Sequence, residues 1–84
     1  MYQINVADIE KWTKQIEGTT DKIDAFDNKA EEALSNMKAY INDSKYFREK
    51  GDIIRSFEAV VFASAILETC LQLGAFVIKE EQRL

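Results

Sequence analysis

Eighty-four residues with 46% hydrophobic and 31% charged side chains, no proline and three glycines suit one small helical domain and exclude a disordered chain or a turn-rich β fold. The lack of any histidine removes the commonest metal ligand and the usual general base, so most metal centres and acid–base sites are excluded together. A net charge of −4 opposes binding to a nucleic-acid backbone, and the single Cys70 permits no internal disulfide and fits a small buried hydrophobe in a reducing cytoplasm.

The first predicted helix covers about residues 6–23. Asn5 followed by Asp8 reads as an N-cap with an acidic third residue, and Ile4 with Ile9 as a hydrophobic staple. Ile9, Trp12, Ile16, Thr19 and Ile23 then recur at steps of three and four, a narrow apolar seam on a charged helix. Trp12 is expected to anchor the core, Glu10 and Lys14 to form a surface pair, and Gly18 to weaken the helix by about 1 kcal/mol. A turn is predicted at Asp24 to Asn28, where Asn28 and Glu31 cap a second helix over about 28–50 with Ala30, Leu34, Met37, Ile41 and Phe47 as its stripe. The same region also reads as an unbroken heptad from Ile9 to Phe47, one long coiled-coil helix, but the cap-forming residues at 24–28 favour a break. Lys45, Arg48 and Lys50 suit a helix C-terminus, Gly51 a left-handed residue beyond it, and Asp52 the cap of a third helix over about 53–73. So short a connection forces the second and third helices to pack antiparallel.

The third helix differs in kind. Ile53, Phe57, Val60, Leu67 and Leu71, with Val61 beside them, form one apolar band, and Ala59, Phe62, Ala63, Ile66, Cys70 and Leu73 form another. A helix apolar on two sides must be covered on two sides, so Phe62, Ile66, Cys70 and Leu73 are expected to meet either the tail, residues 75–84, or a second copy in an isologous dimer. The twenty residues from Ala59 to Ile78 carry a single charge, but Glu68 at mid-span would cost about 2.5–3.5 kcal/mol in a bilayer, and Ser64, Thr69 and Gln72 add to the penalty. No membrane span is expected. Met1 to Ala7 lack a basic flank and apolar run, so no secretory signal is expected and the location is expected to be cytoplasmic. The predicted fold is an all-α, up-down-up three-helix bundle in a single domain, residues 1–84.

Glu68 falls beside Leu71 and Val61 on a helical projection and is expected to be paired, or to lie at a wet edge, because an unpaired buried carboxylate is costly. Asp43 and Tyr46, one turn from the seam of the second helix, could join it in a polar cluster. The bland alternative is solvated charge and a snorkelling phenol. Glu31 with Glu32 lacks the further ligands of a di-metal site. No catalytic residue, cofactor or metal is predicted.

The run Tyr40-Ile41-Asn42-Asp43-Ser44-Lys45-Tyr46-Phe47, then Glu49-Lys50-Gly51-Asp52, then Ser56, Ala59, Ala63, Leu67-Glu68 and Leu73-Gly74, resembles a family of short archaeal proteins, the domain of unknown function 357. The resemblance is strongest from Lys38 to Phe76 and implies a three-helix bundle from an archaeon with no established activity. Ala65 and Ile66 stand where the family often has Gly and a large aromatic, and Glu68 replaces Asp, so no pocket built by that aromatic is implied. A looser likeness links the Gly-Asp turn and its following alanines to tetratricopeptide and microtubule-interacting-and-transport modules, which bind peptides in helix grooves; it concerns fold alone. The expected function is a non-enzymatic, homodimeric protein–protein interaction module whose partners are itself and an unidentified protein. The alternatives are a small-molecule binder or weak enzyme built on Glu68, Asp43 and Tyr46, and a subunit of a larger cytosolic assembly.

Overall fold

The computed structural model describes residues 5–79. In chain order the elements are α1 (Val6–Thr20), β1 (Ile23–Ala25), α2 (Asn28–Glu49), α3 (Ile53–Gln72) and β2 (Phe76–Ile78).

The start of α1 follows from its cap: the Asp8 N–H donates to Asn5 Oδ1 at 2.9 Å. Ile4, the other half of the expected staple, lies outside the described residues. The buried seam is Ile9, Thr13, Ile16 and Thr20, so Thr20 takes the place expected of Thr19. The helix also stops three residues short of the expected end. After Gly18 the Thr19 and Thr20 hydroxyls donate back to the carbonyls of Gln15 and Glu17 at 3.1 and 2.7 Å, bonds that weaken a helix end. The chain then becomes extended, which rules out the single long coiled-coil helix.

Helix α2 is capped one residue earlier than expected. Asp27, in extended backbone, accepts the Ala30 N–H at 2.9 Å, and Asn28 is already helical. Ala30, Leu34, Met37, Ile41 and Ser44 form its buried face, while Phe47 is half-buried. The turn into α3 is as expected. Gly51 has φ +78°, the Asp52 N–H bonds to the Phe47 carbonyl at 2.8 Å, the Gly51 N–H to the Arg48 carbonyl at 3.1 Å, and Asp52 Oδ1 accepts the Arg55 N–H at 3.1 Å.

Across that turn α2 and α3 run antiparallel and are bonded directly to each other. The Ser44 hydroxyl donates to the Ser56 carbonyl at 2.9 Å, and the Ser56 hydroxyl donates to the Ser44 carbonyl at 2.7 Å. Thr13 of α1 stands 3.4 Å from the Ser44 hydroxyl and donates its own proton to the Ile9 carbonyl at 2.7 Å. All three hydroxyls are buried and satisfied, as buried polar groups must be. Small residues continue the α3 side of the seam: Ala59, Ala63 and Cys70 are buried, which lets the two backbones lie close.

The fold is not purely all-α. Gly74, with φ +75°, ends α3 and reverses the chain, and Phe76-Val77-Ile78 pairs antiparallel with Ile23-Asp24-Ala25 in the register Ile23↔Ile78, Asp24↔Val77, Ala25↔Phe76. Flanking bonds extend the ladder: Phe26 N–H to the Ala75 carbonyl at 2.9 Å and Lys79 N–H to the Lys22 carbonyl at 2.7 Å. Ile23, read as the last seam residue of the first helix, instead enters the core from β1, and Phe76, opposite Ala25, is fully buried beside it in the core. The expected tail thus begins as a strand that plugs the core, and residues 80–84 of that tail lie outside the described residues.

Candidate functional site

The surface of α3 is set by which of its residues face the seam. The buried stripe is Ser56, Ala59, Val60, Ala63 and Cys70, and it runs between the two predicted apolar bands. Ile53, Phe57, Leu67 and Leu71 form one half-buried shoulder, against which Trp12 of α1 places its ring 5.8 Å from that of Phe57. The predicted interface Phe62, Ile66, Cys70, Leu73 is divided by this rotation. Cys70 is buried as a free thiol and Ile66 is packed against the core. Phe62 is 47% exposed with its ring 5.3 Å from that of Tyr40, and Leu73 is 77% exposed at the helix end, so these four do not form one bare strip.

The bare face lies farther round. Ile54, Val61 and Ala65, at spacings of seven and four, share the outer side of α3 with Phe62 and are all exposed. Glu58 interrupts this face and Glu68 ends it. A second apolar patch lies at the sheet: Phe26 is 81% and Val77 58% exposed, and Leu73 stands two residues before the carbonyl that holds the Phe26 amide. Ile54 and the Phe26–Val77 patch had no counterpart in the sequence reading. The signal available for the second was the alternation Ile23-Asp24-Ala25, a strand pattern only three residues long.

The expected polar cluster does not assemble. Asp43, Tyr46 and Glu68 are all exposed. Because Ser44 bonds to Ser56, Asp43 and Tyr46 stand level with the first turn of α3, whereas Glu68 is more than three turns, about 18 Å, farther along it. Glu68 lies on the solvent side because the true centre of burial passes through Ser56 and Ala63 rather than through Leu71 and Val61. Tyr46 instead packs against Phe47, with the Lys50 ammonium 5.5 Å from its ring centre. A shallow polar groove of about 260 Å³ between α1 and α2 is lined by Glu17, Thr20, Asp21, Lys38, Ile41 and Asn42, and none of the three predicted residues reaches it. Among the described residues no group of three or more acidic, cysteine or histidine side chains is placed to hold a metal ion, and no helix is long and apolar enough to cross a membrane.

Comparison with known proteins agrees with the resemblance read from the sequence. Residues 7–76 match the family described as protein of unknown function, DUF357. Among solved structures the chain is similar to the crystal structure of protein AF1782 from Archaeoglobus fulgidus, a DUF357 protein, with a TM-score of 0.79 and 39% sequence identity, covering 88% of this chain and 92% of that one. No curated protein matches the chain.

Proposed function

From the premise that this chain belongs to the DUF357 family, whose archaeal relative has the same fold, we propose that it is a non-enzymatic, homodimeric protein–protein interaction module and that the outer face of α3 is where it receives its partner. The observation that carries this reading is the unshielded group Ile54, Val61, Phe62 and Ala65 on a helix whose opposite side is already fully used in packing. Exposed apolar side chains grouped on one side of a small protein, here with Glu58 among them, are the kind of surface that marks an interaction site. Its anchor is aromatic: Phe62 leans on Tyr40, a pairing that presents a broad, stiff surface at low entropic cost. The separation of Glu68 from Asp43 and Tyr46 takes away the pocket on which a small-molecule or weakly enzymatic role would have rested.

Two measurements test the proposal. Light scattering behind size-exclusion chromatography should give the mass of a dimer at micromolar concentrations, and a monomer throughout that range removes the homodimer. A photo-crosslinking residue at Val61 should yield adducts with another polypeptide in cells, whereas one at Glu32 on the charged face of α2 should not. Equal labelling from both positions removes the α3 face as the docking surface.

A further inference from the structure

We propose that the partner received by the outer face of α3 is a basic amphipathic helix of another protein, which lays an apolar stripe on Val61, Phe62 and Ala65 and sets lysine or arginine against Glu58 and Glu68. This rests on the reading of that face as the docking surface and adds the chemistry of what docks there. Ile54, Glu58, Val61, Ala65, Glu68 and Gln72 follow one another at steps of four and three, and all six are exposed. That spacing is the one by which a helix meets a second helix along its length, and here it runs unbroken through about five turns. Ala65 keeps the middle of the seam low, and helix axes approach more closely where the side chains between them are small.

The charge of this face is one-sided. From Ser56 to Gln72 the helix carries no basic residue, and its two acids, Glu58 and Glu68, both lie on the exposed seam, about 15 Å apart along the axis. Neither is ion-paired among the described residues. The one base of α3, Arg55, sits 3.6 Å from Asp52 and over the Phe47 ring, so its charge is answered at the helix start. Asp43, one turn along α2 from the Tyr40 ring that Phe62 meets, brings a third exposed carboxylate to the flank. The seam also selects against a second copy. It is symmetric about Ala63, so a two-fold pairing that buries all of it sets Glu58 opposite the partner's Glu68, twice, with no cation between them. A cationic helix gains at both glutamates, and self-association falls to another part of the surface.

The probe is an end-capped model helix of about twenty residues, with leucines at the same four-and-three spacing and two lysines about ten positions apart. Its twin carries glutamates in place of the lysines. Titrated into the full chain and followed by amide chemical shifts, the lysine helix should move Val61, Phe62 and Ala65. The glutamate helix should bind about tenfold more weakly at low salt, a preference that high salt narrows. Glu58→Lys combined with Glu68→Lys should reverse the preference. Glu58→Gln combined with Glu68→Gln should abolish it, and serves where the lysine variant does not fold. Equal binding of the two helices, no binding by either, or shifts centred elsewhere overturns the basic partner, while crosslinks from Val61 in cells would still uphold the α3 docking surface. Movement of the same three amides on dilution of the protein alone places a second copy on the face and overturns the basic partner as well.

Discussion

The seam between α2 and α3 and the attachment of α1 are built on different principles. The first joins neighbours in sequence across a three-residue connection, with small side chains and reciprocal hydroxyl–carbonyl bonds drawing the backbones together. The second holds a threonine-interrupted seam against the hairpin, assisted by the Lys45–Glu17 ion pair, the Trp12–Phe57 ring contact and the distant pairing of β1 with β2. The difference teaches that burial alone does not rank the helices. Thr13 is as buried as Ser44, yet its hydroxyl proton goes to its own helix. Hydrogen exchange in the native state should therefore open α1 before the hairpin, in line with the general unevenness of local stability.

Four substitutions break or sharpen this contrast. Phe76→Ala should have the largest effect, about 3–5 kcal/mol by chemical denaturation, because it empties the plug of the sheet. Exchange should then rise first in α1 and β1, and equal acceleration across α2 and α3 would show that the strand clasp serves the whole molecule alike. Ala63→Leu overfills the hairpin seam and should cost about 1–3 kcal/mol; a neutral result would mean that α2 and α3 can part without penalty. Ser56→Ala removes one of the two reciprocal bonds and should cost about 1 kcal/mol, read as a lowered denaturation midpoint with unchanged slope. Lys45→Ala breaks the half-exposed pair to Glu17 and should cost at most about 1 kcal/mol, a loss that high salt abolishes in the parent protein.

The helices and their punctuation were legible because they are local. Asn5, Gly51 and Asp52 act where capping chemistry places them, and the one-residue error at Asp27 arose because Asp and Asn are both good caps and the backbone chose the earlier one. The strands were not legible. Each is three residues long, and their partnership joins segments from opposite ends of the chain, which no periodic pattern reports. The α3 face was misjudged for a related reason. Ser56, Ala59 and Ala63 weigh little in a hydrophobic projection, but small size is what admits a neighbouring backbone, so the contact centred on them and turned Glu68 outward. Of the expected interface, Phe62 and Leu73 keep surface to offer, while Ile66 and Cys70 are occupied inside their own fold.

Strand β1 precedes the α2–α3 hairpin and β2 follows it, so their pairing closes the intervening chain into a loop from which α1 hangs outside. A polypeptide begun at Asp21 would retain that circuit complete, and severing it after Gly74 would open it while keeping every helix. The first helix stands outside that circuit in chain order and yet supplies Ile9 and Ile16 to the common core. On this basis refolding should show the amides of α2 and α3 protected before those of residues 23–25, with α1 last.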